Sequence, residues 1–291
     1  MATAFFWSFH MRYISYINDG KRGYGILVGG KVYQIKACEP DLDTYILRDG
    51  LLSKQEIMAG SKPIDEKDVT LLSPFTRDMN MLCVGLNYWS HADEFSRTMK
   101  TSVQNDESIY FIKRVHDCIG DGQNLRARLD LDPKCDYETE LGVVIGKEMA
   151  PGSKVDETVI FGFTIINDYT SRGFQNKYKQ WSLGKSIDTY CGMGPAIVTL
   201  DEFENPFDLY IRGYKNNELV QDSRTTLLRR QIFDIIRDLN QGMTLHKGDV
   251  IATGTPAGVA VGKNDMAAFL KPGDVFRCEI EGIGKLENKV V

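Results

Sequence analysis

The chain has 291 residues, with 35 Lys and Arg against 40 Asp and Glu for a formal charge of -5, and only 4 histidines. A 42% hydrophobic share with 26% charged residues is enough for a buried core and excludes a disordered or collagen-like chain. The mild acidity, with no block of about five or more basic residues, excludes a protein built to grip nucleic acid or an anionic membrane and leaves a small molecule as the expected partner.

In chain order, residues 1–10 hold a short apolar cluster with no basic lead-in and no clear cleavage pattern, and read as a non-structural extension ahead of Met11. The segment YGILVGGKVYQI alternates and turns on Gly29-Gly30, which admit the positive φ of a tight hairpin. Residues 40–75 read as a connecting region with a weakly helical stretch ending at Ser73-Pro74, and the apolar run MLCVGLNY that follows reads as a buried strand entering a loop. A boundary is expected here, between a small N-terminal α/β domain over residues 11–78 and a larger domain over 79–291.

Downstream, ELGVVIGK, VIFGFTIIND, GPAIVTL, LYIRGYKN, DVIATGT and VFRCEIEGIG are β-branched or aromatic runs separated by turn residues, and read as strands. One helix interrupts them: in TTLLRRQIFDIIRDLNQG, Ile232, Ile235, Ile236 and Leu239 share one helical face. No βαβ rhythm supports a Rossmann sheet, so the expected class is α+β, predominantly β. The 6 cysteines form no C-x-x-C pair, and no apolar run reaches the roughly 18 residues of a membrane span. No zinc ribbon, disulfide scaffold or membrane segment is expected, and a reducing cytoplasm is the default compartment.

The residues that can carry chemistry are mostly acidic. Glu138 and Glu140 open the strand ELGVVIGK two positions apart, so their side chains point the same way. An isolated E-x-E pair is commonly a water-facing strand edge. Asp168, however, ends the next apolar run, and if the two strands are neighbours the three carboxylates converge at one sheet end. Clustered anions need a cation, and oxygen-only ligands suit a hard ion such as Mg²⁺ or Mn²⁺.

Arg172, Gln175, Tyr178 and Lys185 follow in a stretch that is too polar and irregular for core, and reads either as a loop beside the metal or as a solvated connection. Gly184-Lys185-Ser186 lacks the glycine that a phosphate loop needs at position 179, where Lys179 stands. Gly254-Thr255-Pro256-Ala257-Gly258 either presents backbone N–H groups to an anion or makes a turn. His91 and Glu94 stand three apart, as an exposed helix pair does, or a general base and the carboxylate that orients it. His10 and His116 have no comparable partner nearby, and His246 reads as a turn residue.

Taken together, CVGLNYWSHADEF, YFIK, DYETELGVVIGK, GFTIINDYTSRGFQ, QWSLGKSIDTYCGMGP, TLHKGDVIATGTPAGV and GDVFRCEIEGIGKLEN resemble, in order and spacing, the fumarylacetoacetate hydrolase family from about residue 82 onward. The resemblance implies a mixed β-roll or sandwich catalytic domain beside a smaller N-terminal domain, in a homodimer. It implies Mg²⁺ or Mn²⁺ on Glu138, Glu140 and Asp168, and a water-activating dyad of His91 and Glu94 on a lid that orders with substrate. Lys185 is placed near the substrate, Arg172, Gln175 and Thr255 on its oxygens, and Tyr178 beside them. The implied activity is hydrolysis of a C–C bond in an acylpyruvate or related β-diketo acid through a metal-stabilised enolate. The alternatives are an isomerase, tautomerase or decarboxylase of an oxaloacetate- or 2-hydroxymuconate-type acid at the same metal, and, more remotely, a non-catalytic binding protein. Three positions depart from the family's pattern: Gly173 stands where Asp is common, Arg114-Val115-His116 where Pro and Ser commonly follow F-x-K, and Gly192 where Pro is frequent. They bear on substrate contacts and the lid, and leave the metal ligands intact.

Overall fold

The computed structural model describes residues 11–99, 108–263 and 265–291. The extension expected over residues 1–10 lies outside the described residues. The architecture is α+β and predominantly β, built on two large mixed sheets. The larger sheet has eleven strands, and its centre runs in the spatial order Arg12–Asn18, Cys191–Val198, Ile160–Asp168, Thr139–Ile145, Val250–Ala252, Met79–Gly85, Ile109–Val115. The second has five, in the order Glu218–Arg224, Tyr210–Lys215, Val275–Ile280, Gly284–Val290, Asn124–Leu125.

Burial explains the composition of each strand. Thr139–Ile145 is buried along its whole length, because it is covered on both faces, and beyond Glu140 it reads as the continuous apolar run of a strand so placed. Val275–Ile280 alternates buried and half-buried residues, as a strand with one face toward the core does. The expected hairpin closes at Gly29 (φ 56°) and Gly30 (φ 72°), between Lys21–Val28 and Lys31–Gln34. The expected helix spans Ile232–Asn240 and buries Ile232, Ile235, Ile236 and Leu239.

The sheet is continuous across the division expected after residue 78. Arg12 and Tyr13 pair with Val198 and Ile197, and the core beneath joins Tyr13, Tyr45 and Ile57 to Met81, Val144 and Ile166. Among the described residues, no helix is long and apolar enough to cross a membrane.

At the far edge of the sheet, Met79–Gly85 ends beneath an aromatic pair. The Trp181 and Phe111 rings meet edge to face with centroids 5.2 Å apart, and a Cβ on Gly85 would lie 2.1 Å from Trp181 Cζ3. Gly85→Ala is therefore expected to cost about 1–3 kcal/mol through overpacking. In urea unfolding, the Gly85→Ala/Trp181→Ala pair should lose no more stability than Trp181→Ala alone; independent losses would mean that the ring does not set the requirement for glycine.

Candidate active site

Antiparallel pairing of Thr139–Ile145 with Ile160–Asp168 puts Thr139 opposite Asn167 and brings the strand end at Glu138 beside Asp168. The Glu138 N–H donates to Asn167 Oδ1 at 3.0 Å, and the Asp168 N–H to the Glu138 carbonyl at 3.0 Å. The two-residue period of the strand adds Glu140 on the same face. Ligand oxygens of Glu138, Glu140 and Asp168 all lie within 4.8 Å of one another, and all three residues are buried. The convergence expected from sequence is thus present.

Three cations hold the group. Lys185 Nζ donates to Glu138 Oε2 and Asp168 Oδ2, both at 2.6 Å, and to Thr170 Oγ1 at 3.0 Å. Arg172 donates from Nη2 to Glu138 Oε1 at 2.7 Å, from Nε to Asp136 Oδ2 at 2.8 Å and from Nη1 to Gln175 Oε1 at 3.0 Å. Lys113 Nζ donates to Asp168 Oδ1 and to the Tyr190 carbonyl. Arg172, expected on substrate oxygens, lines the cleft with its guanidinium also bonded to Asp136, Glu138 and Gln175, and its bond to Gln175 Oε1 leaves the Gln175 NH₂ free of that contact.

Lys113 and Asp136 were not singled out from sequence. Both stand inside quoted motifs, YFIK and DYETE, but their partners are remote in the chain. Asp136 accepts from the N–H groups of Tyr137, Ala260 and Val261 as well as from Arg172. The polar stretch expected as an irregular loop is instead two short helices, Arg172–Tyr178 and Trp181–Lys185, capped in the first by Ser171 Oγ accepting from the Phe174 N–H. Its buried charges are paired, so polarity was no guide to exposure. Tyr178 ends the first helix exposed, its ring against Phe174, and does not line the cleft. Gly173 is explained by Asp132, which accepts from the Gly173 N–H at 2.7 Å and whose Oδ1 lies 2.7 Å from where a Cβ would stand. His116 does find a partner, Asp78 Oδ1 at 2.7 Å, just ahead of the adjoining strand Met79–Gly85 on the surface.

The Gly254–Gly258 loop presents N–H groups to carboxylates, the first of the two readings its sequence left open. Gly254 donates to Glu140 Oε2 at 2.7 Å, and Gly258 to Glu94 Oε1 at 3.2 Å. Glu94 Oε2 in turn lies 3.2 Å from His91 Nδ1, both residues standing on the helix Trp89–Met99. His91, Glu138, Glu140, Lys185, Gln175 and Thr255 line a cleft of about 330 Å³ that opens to solvent, with Val84, Leu86, Phe111 and Trp181 as its apolar wall.

Charge in this cluster is nearly but not fully balanced. Asp136, Glu138, Glu140 and Asp168 face Lys113, Arg172 and Lys185, leaving one negative charge. Burial opposes ionisation of Glu138, but Lys185, Arg172 and His91 outweigh it and hold the group down at about 2. Among the described residues, Glu140 has no cationic partner in direct contact. Burial, with the charges of Asp168 and Glu138, pushes its carboxyl well up. Burial also works against the Lys185 and Arg172 cations, yet their carboxylates raise both. The donor set suits a hard divalent cation: it is all oxygen, and each carboxylate oxygen keeps a lone pair beyond its hydrogen bond. With Glu140 ionised, such an ion beside it would bring the cluster to one positive charge, suited to an anionic ligand.

Two outcomes follow for the metal-free protein. Glu140 holds its proton to higher pH folded than unfolded, so its stabilising contribution is full below the ordinary carboxylate range and is lost as pH climbs through the raised value. A divalent ion competes with that proton, so Mn²⁺ affinity should rise over the same window by up to about tenfold per pH unit. Glu140→Gln should weaken binding and flatten the profile in a spin-resonance titration; a flat wild-type profile would remove Glu140 from the ligand set. Lys113→Met leaves Asp168 with one cation fewer and should cost on the order of 3–5 kcal/mol in urea unfolding, part of it restored by Mg²⁺.

A family model described as Fumarylacetoacetate (FAA) hydrolase C-terminal matches residues 80–291. The human mitochondrial oxaloacetate tautomerase is 36% identical over 273 residues, covering 90% of this chain and 85% of its own. A fumarylacetoacetate hydrolase from psychrophilic Exiguobacterium antarcticum has TM-score 0.82 at 32% identity, over 96% of this chain and 99% of that one. The 2-hydroxyhepta-2,4-diene-1,7-dioate isomerase from Mycobacterium marinum has TM-score 0.75 at 27% identity, over 97% and 98%. The matched segment holds every candidate site residue, and the likeness extends over nearly the whole chain: the protein belongs to the fumarylacetoacetate hydrolase family.

Proposed function

We propose that the protein is a Mg²⁺- or Mn²⁺-dependent hydrolase of a C–C bond in an acylpyruvate or related β-diketo acid. The observation that carries this reading is His91, paired with Glu94, on the wall of the same cleft as Glu138 and Glu140, with Asp168 buried beside them. Glu138, Glu140 and Asp168 would hold the ion, which when bound supplies Lewis-acid polarisation of the keto oxygen and positive charge for a developing enolate. With Nδ1–H donated to Glu94, His91 keeps the Nε2 lone pair for a water proton. The water oxygen adds to the distal carbonyl, the C–C bond breaks, and its electron pair passes to the pyruvate fragment as an enolate that takes up a proton. Gln175 and Thr255 offer hydrogen-bond donors to the substrate's oxygens. Lys185, fixed between Glu138 and Asp168, adds positive charge beside the enolate.

A second reading, enolisation without cleavage, is favoured by the 36% identity to the human oxaloacetate tautomerase. It uses the same cleft and needs no attacking water. The two part on products. Under hydrolysis, acylpyruvate with Mg²⁺ should yield pyruvate and a carboxylic acid, and His91→Ala should lose roughly 10²–10⁴-fold in rate with Mn²⁺ affinity unchanged. Unaltered turnover in that variant sinks the dyad. Fast equilibration of the oxaloacetate enol, with no pyruvate released from any acylpyruvate, would establish the tautomerase instead.

A further inference from the structure

Gln221 stands on the strand Glu218–Arg224 of the second sheet, behind the cleft, and is 1% exposed. Its amide is oriented twice over. The Thr139 N–H donates to Oε1 at 3.1 Å, and Nε2 donates to the Pro256 carbonyl at 2.9 Å, which only an NH₂ group can do. The second Nε2 hydrogen goes to Thr255 Oγ1 at 2.8 Å. Gly213 makes room for this arrangement, since a Cβ there would lie 2.8 Å from Gln221 Oε1.

Thr255 is therefore an acceptor toward Gln221. It lines the cleft beside Glu140 and Lys185, and among the described residues no acceptor takes its own hydroxyl proton. We propose that Gln221 is a positioning residue that turns the Thr255 hydroxyl proton into the cleft, so that Thr255 offers a donor to an anionic ligand oxygen. Gln175 is fixed in the same sense, because Arg172 occupies its carbonyl oxygen and leaves the NH₂ for the cleft. Two neutral side chains thus share one polarity, each set by a neighbour that can only donate to it. The proposal rests on the reading of the cleft as a 2-oxo acid site.

The test uses oxalate, a stable mimic of the pyruvate enolate, bound in the presence of Mg²⁺ and followed by calorimetry. Gln221→Glu keeps the shape but cannot donate, so the Thr255 proton turns to the introduced carboxylate. Oxalate should then bind about tenfold more weakly, the loss typical of a hydrogen bond to a charged group. Thr255→Val should lose a similar factor and Thr255→Ser should retain affinity. In the Thr255→Val background, Gln221→Glu should cost at least about threefold less than in wild type, because the group it acts through is gone. Gln221→Met, with neither donor nor charge, repeats the cycle should the buried carboxylate prevent folding, and its smaller loss should also vanish on Thr255→Val. Equal losses in both backgrounds would mean simple charge repulsion or general loosening, and would overturn the relay alone. No oxalate binding by wild type with Mg²⁺ would overturn the 2-oxo acid reading, and the relay with it.

Discussion

Burying ionised groups costs several kcal/mol each unless every one is paired, and this chain buries seven around the ends of two neighbouring strands. The rest of the architecture answers that demand. Lys185 can join Glu138 to Asp168 because a short helix returns its ammonium to the sheet end. Lys113 reaches Asp168 from the edge strand Ile109–Val115, and Arg172 reaches both Asp136 and Glu138 from the first turn of its helix. Glu140, with no cation in direct contact among the described residues, is pushed well up by burial and by the charges of Asp168 and Glu138. A cluster so nearly balanced is stable enough to fold, and its all-oxygen donor set suits a divalent cation.

Backbone supplies what side chains do not. One loop sets an N–H on Glu140 at Gly254 and another on Glu94 at Gly258, so the candidate metal ligand and the partner of the histidine are referenced to the same short piece of chain. Asp136 ties the residues just beyond, through the N–H groups of Ala260 and Val261, to the arginine that holds Glu138. Neutral amides then set the polarity of the cleft wall. The site is less a set of independent residues than a network whose members fix each other's direction.

Much of this was legible in the sequence wherever the signal was local. The period of two placed Glu138 and Glu140 on one face, adjacency of consecutive strands brought Asp168 to them, and three-residue spacing paired His91 with Glu94. The helix Ile232–Asn240 and the glycine hairpin were read from the same kind of pattern. What escaped was non-local. Lys113, in a strand of seven residues, looks like any outward-facing lysine until its partner 55 positions away is known. Asp136 looks like a turn residue, and Gln221 like a surface amide on a hairpin. The stretch from Arg172 to Lys185 reads as a loop beside the metal or as a solvated connection, because its charges are counted in sequence and cancelled only in space. Tyr178, grouped with the site by nearness in sequence, ends its helix outside the cleft.

The position of Val250–Ala252 has a consequence for assembly. Its three residues lie between Thr139–Ile145 and Met79–Gly85, pairing antiparallel with one and parallel with the other. The carboxylates stand on one side of this insert. On the other side stand the strand that carries Lys113 and the helix that carries His91 and Glu94. Such long-range pairing is slow, because loop-closure entropy must be met before the contact repays it. A nascent or truncated chain that stops short of the insert can form the acidic strand pair but cannot bring the edge lysine or the dyad to it through the sheet. The charges most expensive to bury are therefore sealed late, when nearly the whole polypeptide is present.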